Sequence, residues 1–140
     1  RCHQAACYVV HDSPFTMLCD APTNYETEPE YTKFIAQIFN EWEETRVLQG
    51  EIGKYIVTAR RIGNTWYVGG QTNWDERTIT LPLSFLNKEQ HYVVTLLTDG
   101  INANHNAEDY QLTYQTCLSH ETLNLKMASG GGFVLKFEYE

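Results

Sequence analysis

Three side chains of types that bind transition metals recur at a regular spacing near the start of the chain. His3, Cys7 and His11 are four residues apart, so on a helix they would lie along one face. Imidazole and thiolate groups are ligands for zinc. Across eight residues, however, a helix rises about 12 Å, which is too far for three ligands to reach one ion. The spacing therefore favours ordinary helix packing, and we predict no metal site in this chain.

A second stretch, residues 99–109, is rich in the oxygen groups that calcium binds. An EF-hand loop carries glycine at its sixth position and glutamate at its twelfth, and no Asp or Asn in this stretch begins such a pattern. The sequence favours a loop in which Asp and Asn side chains bond to nearby backbone. Adventitious calcium remains the alternative.

Two tryptophans, Trp66 and Trp74, offer flat apolar rings of the kind on which sugars stack. Trp66 lies in ARRIGNTWYVGG, residues 59–70, where a Gly-Asn pair typical of a tight hairpin turn separates two apolar runs. Neighbouring residues on a strand point to opposite faces, so we expect only one of Trp66 and Tyr67 to enter the core directly. Core and interface packing is favoured, and carbohydrate contact through Trp66 or Trp74 is the alternative.

Two other motifs predict no chemistry. The acidic run Glu41, Glu43 and Glu44 beside Trp42 is typical of a solvated linker. The triple glycine at residues 130–132 lacks the lysine and the following helix of a phosphate-binding loop. It predicts a flexible turn leading into the last strand.

The charge balance excludes two classes of partner. Lys+Arg 10 against Asp+Glu 18 gives a formal net charge of -8, and this field repels phosphate backbones and anionic lipids. We therefore expect no nucleic acid and no membrane partner. Hydrophobic residues at 42% are enough to form a core. The first residues lack the basic-then-apolar pattern of a leader, and we expect this chain to be cut from a longer one.

The cysteines predict free thiols rather than a disulfide framework. They are Cys2, Cys7, Cys19 and Cys117, and no CxxC pair occurs. Three of the four lie in apolar surroundings within the first twenty residues, where a buried thiol is the ordinary outcome.

The first forty residues have a helix–strand–helix pattern. A helix is predicted over residues 3–11, a buried strand over the apolar run 15–19, and a second helix over residues 29–39 with Pro29 in its first turn. A lone strand of the parallel type has no partners here, and its edges would be exposed. The pattern therefore predicts the end of a larger α/β domain.

From residue 46 onward, short apolar runs follow one another without helices between them. Strands are predicted over residues 46–49, 54–62, 65–71, 77–83, 91–98, 111–118, 123–127 and 133–139. Seven or eight short strands in about a hundred residues are typical of an antiparallel sandwich. The predicted fold is mainly β: a Greek-key-like β-sandwich at residues 42–140, preceded by a short helical segment at residues 1–41.

Several strings in this sequence closely resemble the C-terminal end of glycoside hydrolase family 97, the α-glucosidases and α-galactosidases of gut Bacteroidetes and relatives. The strings from the sandwich are WEETRVLQGEIG (42–53), YIVTARR (55–61), NTWYVGG (64–70), DGINA (99–103), EDY (108–110) and GGGF (130–133). Those similar to the last part of the family's catalytic (β/α)8 barrel are CHQ (2–4), SP (13–14), ML (17–18) and DAP (20–22). The resemblance covers essentially the whole chain.

This resemblance implies a large enzyme whose catalytic carboxylates and calcium-binding glutamates lie upstream, with no matching positions here. The sandwich would then support the barrel, and the chain alone would not hydrolyse glycosides. The implied partners are the rest of the barrel and an oligosaccharide substrate of the parent enzyme. The implied setting is polysaccharide utilisation in the periplasm, or after export, in a Gram-negative gut bacterium.

Within such a barrel, Asp20 is the carboxylate best placed for chemistry. It follows the predicted strand 15–19, and the C-terminal ends of barrel strands face the active site. The alternative is a loop cap before Pro22. Without the neighbouring barrel strands, residues 15–19 are expected to be irregular, to pack on the sandwich, or to mediate self-association. An autonomous carbohydrate-binding module is the alternative function, and an immunoglobulin-like interaction domain is disfavoured because it leaves residues 1–41 unexplained.

Overall fold

Eight strands and three helices are found in the described residues, 1–18 and 20–140, of this structure, a computed structural model. The helices are α1 (Cys2–Val10), α2 (Pro22–Thr27) and α3 (Pro29–Ile35). The strands are β1 (Glu44–Glu51), β2 (Tyr55–Ile62), β3 (Thr65–Thr72), β4 (Arg77–Pro82), β5 (Tyr92–Asp99), β6 (Tyr110–Cys117), β7 (Thr122–Met127) and β8 (Gly132–Tyr139). All eight predicted strands are confirmed, and β1 is longer than predicted.

The strands form two antiparallel sheets. The larger sheet has the order β1-β2-β3-β8-β5-β6, and the smaller one pairs β4 with β7. The main core lies between the sheets and includes Val68, Leu81, Leu125 and Phe137. The predicted antiparallel sandwich is therefore confirmed.

The larger sheet is covered on its second face as well. Tyr67, Leu97 and Val134 point away from the main core and form a second apolar cluster with residues of α1 and α3. As expected, Trp66 and Tyr67 point to opposite faces and only Trp66 enters the core between the sheets, while Tyr67 is buried in the second cluster. Because side chains alternate along a strand, Tyr67 points to the face opposite Trp66, and the helices on that face bury it.

The turn between β2 and β3 is the predicted hairpin. Ile62 pairs with Thr65, which leaves two residues in the loop. Gly63 has φ +54°, a backbone conformation that glycine adopts at no steric cost. The Gly-Asn signal thus sets the register of β2 and β3.

The helical segment differs from its prediction in two places. The first helix, α1, is confirmed, but the second predicted helix ends at Ile35, and α2 was missed. Residues 15–18 are irregular rather than a strand, which is one of the three outcomes expected without the neighbouring barrel strands, while Cys19 lies outside the described residues. This run belongs to neither sheet, and the Met17 carbonyl accepts a hydrogen bond of 3.2 Å from the Tyr8 hydroxyl of α1. Phe15 and Met17 are exposed.

The thiols of Cys2, Cys7 and Cys117 are free, as predicted, and those of Cys2 and Cys117 are buried. Burial raises the pKa of both buried thiols, that of Cys117 to about 11. Among the residues that the structure describes, no helix has the length and apolar character needed to cross a membrane.

Candidate functional site

The contact between α1 and the larger sheet is the most extensive contact between the helical segment and the sandwich. Four small or branched side chains of α1 are fully buried there: Cys2, Ala5, Ala6 and Val9. Their spacing of three or four residues gives one apolar face, which lies across β3 and β8. The helix can approach closely because Gly69 has no side chain. A Cβ at Gly69 would lie 2.9 Å from the Cβ of Val9.

A buried arginine fixes the C-terminal end of α1. Arg60 on β2 is only 4% exposed. Its Nε donates a hydrogen bond of 2.6 Å to the carbonyl oxygen of Val9, and its guanidinium also reaches the carbonyl of Val10 at 3.2 Å. The Asp12 carboxylate lies 3.3 Å away as its ion-pair partner. The sandwich thus supplies the cation and the donors that the end of a helix favours.

A second arginine joins the N-terminal end of α1 to α3 and β6. The Arg1 guanidinium lies 2.8 Å from the Glu28 carboxylate and over the rings of Tyr31 and Tyr110, 5.4 and 5.6 Å from their centroids. Tyr110 donates a hydrogen bond of 3.1 Å to Glu28. Contact with the Arg1 guanidinium holds the pKa of Glu28 below its ordinary value. The ion pair and the stacked rings therefore hold the N-terminal end of α1, as the hydrogen bonds of Arg60 hold its C-terminal end.

Asp20 lies in the exposed connection that leads into α2. Its Oδ1 accepts hydrogen bonds from the Ala21 backbone at 2.7 Å and from the Asn24 side chain at 2.6 Å. The bond from Asn24, followed by that from Ala21, lowers the pKa of Asp20. A carboxylate held ionised in this way suits a binding group rather than a proton donor or a general base. Asp20 and Glu28 also line one pocket of about 50 Å³.

Trp66 and Trp74 lie in opposite environments. Trp66 is 5% exposed and packs against the guanidinium groups of Arg46 and Arg61, with Phe85 edge-on at 5.2 Å. It has no open face for a sugar. Trp74 is 85% exposed.

The oxygen-rich residues 99–109 form a loop held by its own side chains, as favoured from the sequence. Asp109 accepts a hydrogen bond of 2.8 Å from the Asn102 backbone. Asp99 accepts bonds of 2.9 Å from the backbones of Ala128 and Gly132. These carboxylates stabilise turns at one end of the sandwich.

The histidines and cysteine of α1 serve packing. His3 Nδ1 lies 3.1 Å from the Gly131 carbonyl, and the thiol of Cys7 contacts the Gln71 amide at 3.0 Å. His11 follows the last residue of α1 and is exposed. In the described part of the chain, no three His, Cys, Asp or Glu side chains are grouped so that they could hold a metal ion.

Interface packing was predicted for Tyr67, but sequence reasoning missed Arg60 and Gly69 as interface residues. A signal was present, because β3 reads Trp-Tyr-Val-Gly-Gly, an uninterrupted apolar run rather than an alternating one. Such runs are typical of strands buried on both faces. Arg60 and Arg61 likewise differ by face: Arg60 caps α1, whereas Arg61 pairs with Glu43 and Glu44.

The family described as "Glycosyl-hydrolase 97 C-terminal, oligomerisation" matches residues 41–138 of this chain. The chain belongs to that family. This membership agrees with the resemblance seen in the sequence and favours part of a glycoside hydrolase over an autonomous carbohydrate-binding module.

Two relatives of this glycoside hydrolase 97 chain extend the match over the helical segment. The chain is 49% identical over 138 residues to a retaining alpha-galactosidase of Bacteroides thetaiotaomicron, covering 99% of this chain and 21% of that protein. It is 26% identical over 125 residues to a probable retaining alpha-galactosidase of Streptomyces bingchenggensis, covering 89% of this chain and 18% of that protein. The chain thus spans about a fifth of the length of these relatives.

Solved structures share the fold of this glycoside hydrolase 97 chain. A family 97 enzyme from Pseudoalteromonas sp. strain K8, in complex with acarbose, has a TM-score of 0.95 and 33% identity, covering 99% of this chain and 22% of that one. A beta-arabinopyranosidase has a TM-score of 0.78 and 26% identity, covering 96% of this chain and 20% of that one. Both matches include the helices as well as the sandwich.

Proposed function

We propose that this chain is the C-terminal part of a glycoside hydrolase that cleaves α-glucosides or α-galactosides. In this proposal, residues 1–41 are the end of its catalytic (β/α)8 barrel and residues 42–140 are its β-sandwich domain. The family membership and the 49% identity to a retaining alpha-galactosidase support it. That relative favours α-galactosides as the substrate class.

The role proposed for the sandwich is to hold the end of the barrel in place. The observation that carries this role is the second apolar cluster, in which α1 and α3 are packed on the larger sheet. Arg60 and Arg1 fix the two ends of α1 by hydrogen bonds and ion pairs. A barrel helix held in this way fixes the strand that follows it, and barrel strands carry catalytic groups at their C-terminal ends.

Asp20 is the residue of this chain that we propose to lie near the substrate. It follows the run that the barrel would use as a strand, and its carboxylate is held by Asn24. We assign it a binding role and place the catalytic acid and nucleophile of the reaction outside this chain. The calcium ion that the family resemblance implies does not fit the described residues, which contain no grouped ligand set. Its ligands are therefore also placed outside.

We further propose that the whole protein acts in the periplasm, or after export, in polysaccharide utilisation. Self-association through residues 15–18 is proposed for the isolated chain. Phe15 and Met17 are exposed there, and in the whole protein the remaining barrel strands would cover them.

The test of the proposed function compares the whole protein with the 140-residue chain on p-nitrophenyl α-galactoside and α-glucoside, each with and without calcium. The whole protein is expected to hydrolyse at least one of them, and the chain alone neither. Asp20→Asn in the whole protein is expected to lower kcat/KM about tenfold, which is the loss of about 1.4 kcal/mol of transition-state binding. Asp75→Asn is the matched control on the sandwich. Turnover by the chain alone that Asp20→Asn abolishes would overturn the proposal.

A further inference from the structure

An open groove of about 530 Å³ lies at the end of the hairpin formed by β1 and β2. Its lining is mostly apolar and includes Val47, Ile52, Tyr55 and Ile56. The strand β1 is also an edge of the larger sheet, so one side of its backbone faces outward. An apolar groove beside an open sheet edge is a feature that proteins normally keep covered.

The turn at this hairpin holds an isoleucine away from the protein. Ile52 is fully exposed at the tip, and Gly53, with φ +78°, completes the turn. The turn is braced, because the Asn73 backbone N–H donates a bond of 2.8 Å to the Lys54 carbonyl and the Asn73 side chain donates one of 3.1 Å to the Gly53 carbonyl. Ile52 therefore projects from a fixed position.

A large aromatic side chain adjoins the groove. Trp74 follows Asn73, which lines the groove wall, and its ring rests on the backbone of Gly130. The Ser129 hydroxyl donates a hydrogen bond of 2.6 Å to the Trp74 carbonyl, which fixes this loop. Tryptophan is enriched at the energetically dominant positions of protein interfaces.

The charges around the groove suit contact between two copies of the same chain. A net charge of -8 makes two copies repel over most of their surface. At the groove, however, Glu51 and Lys54 form an ion pair of 2.5 Å, so this rim carries one charge of each sign. A two-fold contact brings each surface against itself, and such a balanced rim is complementary to its own copy.

We propose that this hairpin groove is the surface through which two copies of the protein associate, with Ile52 of each copy entering the groove of the other. The proposal rests on the family membership, whose description names oligomerisation, and on the role proposed above for the sandwich. The occupant is a second copy because the groove, the projecting side chain and the balanced charges all lie on the same surface.

The test measures the mass of the whole protein in solution by light scattering and sedimentation over a range of concentrations. Ile52→Asp places a charge at the point that enters the partner's groove, and we expect at least a tenfold weaker dimer dissociation constant. Val47→Lys, on a strand rather than in the turn, is a second variant expected to act the same way. Ile101→Asp is the matched control, since Ile101 is 88% exposed on a different loop and lies outside the groove lining.

Three outcomes would overturn the proposal: a monomeric wild-type protein, an unchanged mass for Ile52→Asp, or equal weakening by Ile101→Asp. A lower unfolding midpoint for Ile52→Asp at unchanged mass would mean that another part of the same protein covers the groove. Glycosidase activity is measured separately. If the whole protein is active and Ile52→Asp leaves the dimer unchanged, only the proposal for the groove is wrong. If Ile52→Asp dissociates the dimer but the whole protein has no glycosidase activity, only the proposed function is wrong.

Discussion

The Nε of Arg60, on a strand of the sandwich, donates a hydrogen bond of 2.6 Å to the carbonyl oxygen of Val9, near the end of a helix 51 positions earlier. This contact crosses the start of the family match at residue 41. The match therefore begins inside a packed unit, because the larger sheet has one of its two cores in the helices before residue 41.

Arg60→Met should destabilise the chain. The substitution leaves the carbonyls of Val9 and Val10 without their side-chain donor in a buried position, which costs about 1–3 kcal/mol. Urea unfolding followed by circular dichroism measures the change. Arg46→Met, at a largely exposed arginine on β1, is the control and should cost less than about 1 kcal/mol. Equal losses for the two variants would show that the cap contributes nothing specific.

Gly69→Ala should separate α1 from the sheet. The added Cβ would meet Val9, and overpacking of this kind costs about 1–3 kcal/mol. Gly50→Ala on β1 is the milder control, because its nearest neighbour, the Tyr55 carbonyl oxygen, would lie 3.3 Å from the new Cβ. The double variant Gly69→Ala/Val9→Gly should cost less than the sum of the two single variants, since glycine at position 9 lacks the Cβ that the new methyl group would meet. Additive effects in the double-mutant cycle would contradict the proposed contact.

A chain that starts at Trp42 should lose cooperative unfolding. Removing the helices exposes Tyr67, Leu97 and Val134, which are fully buried in the intact chain. We expect binding of a hydrophobic dye and a lower unfolding midpoint than in the 140-residue chain. Size-exclusion chromatography with light scattering on the same pair tests association through residues 15–18. An unchanged oligomeric state after removal would show that this run does not drive association.

Alkaline pH should reduce stability partly through Cys117. Burial raises the pKa of this thiol from 9.0 to about 11, so the folded state favours the protonated form. The corresponding stabilisation is complete below pH 9, the unfolded value, and is lost as the pH rises through 11. The stability difference between wild type and Cys117→Ala should therefore shrink between pH 9 and 11 in urea titrations. A constant difference over this range would mean that the thiol does not titrate differently in the two states.

The strands of the sandwich could be predicted because their determinants are local. Period-two alternation, as in Phe133 to Tyr139, and turn residues such as Gly63 specify a strand or a hairpin within a few positions. The irregular state of residues 15–18 was one of three outcomes that the sequence left open, because the same apolar run is a strand or not according to its neighbours. The short helix α2 was missed since its polar sequence shows no apolar period.

The interface of the helices with the sheet depends on pairs of residues far apart in the sequence. From the sequence alone, Gly69 is an unfavourable strand residue, and its role becomes clear only from its contact with Val9. Arg60 is likewise predicted to be a surface charge, and only the structure shows that it caps the end of α1. Asp20 illustrates the opposite case. Its local capping by Asn24 follows from their spacing of four residues, and its proposed role near the substrate depends on strands outside this chain.

The strand β8 lies between β3 and β5, and all the other strands of the larger sheet precede it in the chain. During synthesis, the unit β1-β2-β3 and the unit β5-β6 each emerge with an open central edge, and neither can pair with the other before β8 is made. Joining the two halves is therefore the last event of sheet assembly on the ribosome. A message that ends before the codon for Gly132 yields two unjoined half-sheets, each with an open edge that favours aggregation.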